Sequence, residues 1–397
     1  MLDVLRGVRV LDLTRMLAGP YGSMILGDLG ADVIKVERPV TGDDIRQVGP
    51  HFVRGESVYF LSVNRNKRSL CLDLAHAEGR AVLADLAVGC DVVIENFRAG
   101  VAERLGCDHA TLSARNPRII SCGITAFGRT GPDRDLPAFD LTLQARGGVM
   151  GLTGEPGGAP VRCGVPIGDL AGGLYAAIAI NAALYARERT GKGQFIDLGL
   201  VDCQVSLLSY AASNWMMAGD DMGPQGSGHA HAIPYQAFET ADGWITVAVF
   251  TDTFWPGFCR ALERPEWVRD PRMATDALRR ANRTEVLGLL GARLREGASS
   301  KWLPALYAEG VPAGPVQRVS EVCRDAQVRA RNMIAEMNHP VAGPVRAAGN
   351  PMKMGAWEHE THRAAPRLGE HTEAVLREVA GYDGARIDDL RARGVIA

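Results

Sequence analysis

The chain has 397 residues, 46% of them hydrophobic and 23% charged, with a formal net charge of −2. That is room for two or three domains in an ordinary soluble globular protein, and it excludes a globally basic nucleic-acid binder. Eight cysteines, at 71, 90, 107, 122, 163, 203, 259 and 323, never fall within three residues of one another, so no Cys-x-x-Cys redox pair or zinc knuckle is written here. Scattered thiols and an N-terminus without a signal-peptide core lead us to expect a cytoplasmic protein. No uninterrupted apolar run reaches transmembrane length, so no membrane partner is expected.

Read in chain order, Val8-Arg-Val-Leu-Asp-Leu13 is a strand ending at a polar Thr14-Arg15. Residues 21–29 have helical apolar spacing and stop at Gly30, and 31–37 is the next strand. The βαβ pattern recurs through strands at 69–74, 91–96 and 118–124, with helices at 77–88 and 101–115. This alternation predicts an α/β fold with a Rossmann-like, doubly wound, mostly parallel sheet and ligand loops at the strand C-termini. From Phe127 to Gly168 the chain is rich in glycine and proline and is expected to line a site. Helices come next at 170–188 and 197–218. A hairpin from Ala237 to Val249 turns at Asp242-Gly243. It opens a smaller α/β domain with helices at 277–296 and 300–310. The expected division is a large domain over 1–220, a small one over 225–325, and a segment over 326–397 that carries a helix at 370–379.

Asp169 is the most informative residue. It sits in Pro166-Ile-Gly-Asp-Leu-Ala-Gly-Gly173, where a loop meets an apolar helix. The flanking glycines leave room for a ligand to approach its carboxylate. The commonest role of an Asp here is a helix N-cap. A nucleophile toward an acyl carbon is the alternative, and helix N–H groups would keep such a carboxylate ionised.

Other residues carry weaker signals. Glu37 and Arg38 end the second strand, where a dinucleotide fold holds its ribose. The preceding turn, Leu17-Ala-Gly-Pro-Tyr-Gly22, lacks the glycine fingerprint, which disfavours NAD. Arg38 remains a candidate partner for a phosphate or an adenine face. The basic run Asn64-Arg-Asn-Lys-Arg-Ser69 reads as a solvated turn or as charge for a phosphorylated ligand. Asn96, Phe97, Arg98 and Arg104 lie just past another strand end. His229 and His231 form a His-x-His without further ligands nearby, so no metal is expected, and a loop histidine orienting a carboxylate substrate is the better reading. No G-x-S-x-G elbow is present.

Several stretches taken together resemble the family III CoA-transferases, a family that also includes α-methylacyl-CoA racemase. They are Gly7-Val-Arg-Val-Leu-Asp-Leu-Thr14, Leu17-Ala-Gly-Pro20, Asp28-Leu-Gly-Ala-Asp-Val-Ile-Lys-Val-Glu37, Asn64–Ser69, Glu95-Asn-Phe97, Gly191-Lys-Gly-Gln194 and Pro366-Arg-Leu-Gly-Glu-His371. Tyr235–Gly243 and Gly42-Asp-Asp-Ile-Arg46 look most like the members that use dicarboxylates. The resemblance implies that Asp169 is the nucleophile. It implies that Leu17, Ala18, Arg38, Leu72, Asp73, Asn96, Phe97, Arg98, Arg104, Phe139 and Asp140 hold coenzyme A. It also implies an interlocked homodimer acting on acyl-CoA and carboxylic acids, with no permanently bound cofactor. Arg46, His229 and Tyr235 are candidates for a second substrate carboxylate. Backbone N–H groups near Gly168 and Gly172 are candidates for an oxyanion hole. Two departures oppose racemisation. Phe139 stands where racemases place a histidine, and Val249-Phe-Thr251 lacks their glutamate.

Overall fold

The computed structural model describes residues 2–356 and 361–397. The chain divides into two compact units. One comprises the residues up to Met150, Arg162–Asp221 and Gln327–Ala397, and the other comprises Gly151–Val161 and Met222–Ala326. Relative to the sequence reading, residues 151–161 group with the second unit.

The first unit is built on six strands: β1 (Arg9–Asp12), β2 (Asp32–Glu37), β3 (Lys67–Cys71), β4 (Val92–Glu95), β5 (Ile120–Thr125) and β6 (Phe195–Gly199). Every neighbouring pair is parallel, and the order across the sheet is β3-β2-β1-β4-β5-β6. β1 is central, with Val10 opposite both Val33 and Val92. The sheet is covered on both sides, which is why its inner strands read as continuous apolar runs. Leu11, Ile34, Leu70 and Val93 face one core. Val10, Val33, Val92 and Ile94 face the other.

Two helices dominate the second core: α1 (Ala18–Asp28) and α3 (Ile167–Thr190), with a short helix α2 (Asp140–Arg146) before the latter. A Cβ on Gly22 would stand 2.9 Å from the Gly173 carbonyl oxygen, and one on Gly173 would stand 2.7 Å from that of Ala18. The glycines of Gly172-Gly173 therefore serve helix-helix contact, and a side chain at Gly172 would collide with Leu200. They do not hold space open for a ligand, as the sequence reading had it. By length and composition α3 is apolar enough to cross a membrane, but half of that apolar stretch is buried within the protein, as in a core helix.

The C-terminal segment closes the first core. The Ser69 carbonyl accepts from His371 N at 2.9 Å, and Asp73 N donates to the Val395 carbonyl at 2.8 Å. Helices Thr372–Ala380 and Gly384–Ala392 pack on the same face. The second unit holds a three-stranded antiparallel sheet of Tyr235–Thr240, Gly243–Ala248 and Ala313–Pro315, with the expected hairpin pairing Thr240 with Gly243. Its core gathers Phe238, Ile245, Trp255, Phe258 and Trp302.

Four local expectations are corrected. The helix expected over 101–115 is two, Val101–Leu105 and His109–Arg115, parted at Gly106, whose φ is 69°. Residues 195–199 form the sixth strand, because the sequence there pairs with Ser121–Thr125 along the sheet edge. The helix expected over 197–218 is in fact two, α4 (Leu200–Leu207) and Tyr210–Ala218, broken at Ser209, whose φ of 50° lies outside the helical region. The helix expected over 277–296 is likewise two, Asp276–Ala281 and Arg283–Arg295.

The basic run is neither a solvated turn nor a phosphate site. Arg65, Lys67 and Arg68 are buried and paired with Asp28, Asp12 and Asp32 at 2.5, 2.9 and 2.6 Å. Lys67 Nζ also donates to the Pro20 carbonyl and to Asn64 Oδ1, both at 2.9 Å. Lys35 Nζ reaches Asp43 and the Thr14 carbonyl, both at 2.8 Å. Burial alone would raise the Asp12 carboxyl, but Lys67, Lys35 and the hydroxyls of Ser23 and Thr14 outweigh it and hold Asp12 well below the usual carboxylate range.

Candidate active site

In a sheet of this order, ligands bind where the strand order reverses, outside the C-termini of β1 and β4. The structure ties those two strand ends together. Asn96 Oδ1 accepts from Arg15 N at 2.9 Å, and Asn96 Nδ2 donates to the Arg15 carbonyl at 2.7 Å. A cavity of about 450 Å³ opens beside this clasp, lined by Arg38, Leu72, Asp73, Arg80, Phe97 and Arg104. A second, of about 240 Å³, is lined by Leu17, Ala18, Tyr59, Asn96, Arg98, Phe139 and Asp169. Phe97 borders both. Eleven of the twelve residues expected as nucleophile or coenzyme contacts thus line one of two cavities that meet at Phe97. Asp140, the twelfth, lines neither of these two and accepts a hydrogen bond from Asp169 N at 3.3 Å.

The cationic groups here differ in their commitments. Arg38 pairs with Asp44, which also accepts from Arg15 at 3.2 Å. Among the described residues, the exposed Arg98 and Arg104 make no ion pair. Arg80, not singled out in the sequence, reaches the Ala75 carbonyl at 2.8 Å and is held at the cavity wall. Its helical position in 77–88 gave no reason to separate it from an ordinary surface arginine. Glu37 is not available to a ribose. It accepts from Arg46 Nε and Nη2 at 2.7 and 2.8 Å and from Ser69 Oγ at 2.6 Å. Arg46 is correspondingly withdrawn from any substrate carboxylate. Its Nη2 also donates to the Pro366 carbonyl at 3.0 Å, and its guanidinium lies 3.6 Å over Phe60.

Asp169 lies in the first turn of α3, three residues after the N-cap position held by Pro166, and its side chain does not cap. The cap comes from α2. Asp140 Oδ1 accepts from Gly168 N at 2.8 Å and from Asp169 N at 3.3 Å, while Asp140 Oδ2 accepts from Gln144 Nε2 at 2.7 Å. The N–H groups expected to form an oxyanion hole are therefore engaged, at Gly168 by Asp140 and at Gly172 inside the helix. Burial, with the Asp140 carboxylate adding to it, pushes Asp169 up to about 7. The helix N-terminus does not keep it strongly acidic, as the sequence reading had it, because the loss of hydration and a neighbouring negative charge outweigh the dipole. Burial, with the carboxylates of Asp169, Asp43 and Asp140 adding to it, pushes the Tyr59 hydroxyl up to about 12, so that it stays protonated at the cavity wall.

In the second unit, the His229 ring lies 5.3 Å from that of Tyr235 and 5.9 Å from that of Phe250. Arg283 donates to the His229 carbonyl at 3.3 Å. These residues form an aromatic group of their own, held by arginine contacts that sequence spacing does not reveal.

A doubly wound parallel α/β protein with a crevice at the reversal of strand order, and a half-buried, weakly acidic carboxylate on its wall, has the architecture of a nucleotide-ligand enzyme. The profile of CoA-transferase family III matches residues 5–372. The succinyl-CoA:glutarate CoA-transferase of Mus musculus is 41% identical over 392 residues, covering 99% of this chain and 90% of that one. The succinate–glutarate CoA-transferase of Agrobacterium fabrum is 37% identical over 381 residues, covering 94% and 95%. Among solved structures, a CAIB/BAIF family protein from Brucella suis superposes with a TM-score of 0.86 at 39% identity, covering 94% of this chain and 99% of that one. The chain belongs to CoA-transferase family III and is a CoA-transferase.

Proposed function

We propose that the protein moves coenzyme A from succinyl-CoA to a dicarboxylic acid of four or five carbons, with Asp169 as the covalent carrier. The observation that carries this reading is the Asp169 carboxylate at a cavity wall, half-buried, weakly acidic and, among the described residues, without an ion-pair partner. The relatives named for succinyl-CoA with glutarate, and with mesaconate in Haloarcula marismortui at 40% identity, support the choice of substrates.

The nucleotide end of the coenzyme lies in the larger cavity near Arg38, Arg80 and Arg104, and the pantetheine passes Phe97 toward Asp169. The ionised Asp169 attacks the thioester carbon, the thiolate leaves, and a mixed anhydride forms. The thiolate attacks the aspartyl carbonyl, releasing succinate and leaving an aspartyl-CoA thioester. The acceptor carboxylate attacks that carbonyl, again expelling thiolate and giving a second anhydride. Attack of thiolate on the acceptor's acyl carbon releases the new acyl-CoA and regenerates Asp169. The thioester's energy is conserved throughout, so neither ATP nor a metal enters the balance. Water has to be excluded, since anhydride and thioester both hydrolyse. The working form is an interlocked homodimer, supported by the exposed Leu174, Ile178 and Tyr185 along α3. His229 and Tyr235 face the acceptor in that assembly.

Incubation with succinyl-CoA and hydroxylamine tests the carrier. Peptide mass spectrometry is expected to find a hydroxamate at Asp169. A chain that turns over fully without any adduct there would overturn the reading. Racemisation is opposed by Phe139, which cannot move a proton, and is checked by the absence of deuterium uptake at the α-carbon of a 2-methylacyl-CoA.

A further inference from the structure

Gln204 is fully buried on α4, yet neither atom of its side-chain amide has a hydrogen-bond partner among the described residues. A buried amide left in this state is costly and uncommon, and it calls for an explanation. Its surroundings say where. The amide is wedged between two glycines. A Cβ on Gly168 would collide with Gln204 Nε2 and stand 3.0 Å from Asp140 Oδ1, and a Cβ on Gly147 would stand 3.2 Å from Gln204 Oε1. Gly168 immediately precedes Asp169, so the space around the carrier turn is occupied by an amide.

Asp140 already accepts from Gly168 N, Asp169 N and Gln144 Nε2. A carboxylate has about four acceptor sites, so one remains. Gln144 cannot fill it without loss, because its Oε1 is held by Cys163 N at 2.8 Å. When Asp169 is acylated it is neutral, and Asp140 is the single anion at this turn. When Asp169 is free and ionised, two carboxylates face one another, and a further donor on Asp140 is worth most.

We propose that Gln204 is a positioning residue for the Asp169 turn, its amide serving as the reserve donor that turns to the Asp140 carboxylate whenever Asp169 carries its negative charge. The inference rests on Asp169 being the carrier. The groups facing this turn are Asp140 from α2 and Tyr59 from the helix Val58–Val63. Arg98, Arg134 and Asp135 line the same cavity from loops, and Asp202 and Cys203 lie on α4 itself. Of these, Asp140 is the group that raises Asp169 beyond the effect of burial.

The test is the pH profile of kcat/KM for succinyl-CoA with glutarate in the unaltered parent and in Gln204→Met, a close match in volume without the donor. The variant's rising limb is expected to move about one pH unit upward. Its activity is expected to fall about tenfold at pH 6.5 and less than threefold at pH 9, with KM for succinyl-CoA within twofold. Gln204→Asn, whose amide is one carbon short, serves where the methionine variant folds poorly, and the same upward movement is expected. A profile that superimposes on the parent's, or a loss equal at every pH, overturns the inference, since a packing role alone would not move the midpoint. The hydroxylamine adduct in the parent separates the two failures. With the adduct present and the midpoint unmoved, only the role of Gln204 falls. With no adduct at Asp169 in the parent, the carrier reading falls and takes this one with it.

Discussion

Asp12, fully buried, and Asp169, half-buried, both belong to the first unit, and their surroundings treat them oppositely. Asp12 is enclosed by Lys67, Lys35 and two hydroxyls, and is held deep in its charged form. Asp169 has Asp140 for its charged neighbour, and burial lifts it to about 7. The first arrangement fixes backbone. Lys67 and Lys35 hold the carbonyls of Pro20 and Thr14, on either side of the loop that carries Leu17 into the cavity wall. The second arrangement leaves a carboxylate poorly solvated and unpaired, so that it exchanges its charge for a covalent bond at little loss. The same residue type is thus a strut where cations surround it and a carrier where another anion does.

Removing the carrier is expected to have the largest effect. Asp169→Ala should lower CoA transfer by at least about a thousandfold, because the reaction has no route around the covalent step. Calorimetric affinity for free coenzyme A should stay within about threefold of the parent, as the lining of the larger cavity is untouched. Substantial turnover in this variant would erase the distinction between the two carboxylates. Breaking the strut comes next. Lys67→Met leaves Asp12 buried with Lys35 as its remaining cation, and is expected to reduce unfolding stability by about 3–5 kcal/mol in urea. Adding Asp12→Leu to the same chain should recover part of that loss, since an empty site is less unfavourable than an unpaired buried charge. If the single variant proved as stable as the parent, the network would not be the strut described.

The sequence made the sheet legible and the charges much less so. Strand and helix alternated cleanly through residue 125, and the cavity at β1 and β4 agrees with the strand order. The strand at 195–199 was hidden because its last residue, Gly199, is also the N-cap position of the helix that starts at Leu200. Asp169 was visible through its glycines, but for the wrong reason. Those glycines admit Leu200, Ala18 and the Gln204 amide, so they report on packing. Arg46 and the run Asn64–Ser69 looked free for ligands because their partners lie outside the local pattern, Glu37 nine positions from Arg46, Asp28 37 from Arg65 and Asp12 55 from Lys67. Long-range pairing of charge is information that local pattern does not hold. Asp140 as the cap of α3 was likewise unreadable, being 28 positions from the N–H it accepts.

The smallest of the three effects is also the most discriminating, because it reads the two carboxylates through pH. Asp169 is raised in the folded protein, so between about pH 4 and pH 7 the folded state holds a proton that the unfolded chain has already released. Stability contributed by this group is therefore complete below pH 4 and is lost as pH rises through 7. Asp169→Asn keeps the neutral shape at every pH and removes that loss. It should match the parent near pH 4 and exceed it by roughly 2–4 kcal/mol at pH 8, measured at one protein concentration. Asp12 has the opposite sign. Its stabilisation is present above the ordinary carboxylate range and is lost only in strong acid. A gain for Asp169→Asn that did not grow between pH 4 and pH 8 would mean that Asp169 is as well solvated as a surface carboxylate, and the contrast with Asp12 would be gone.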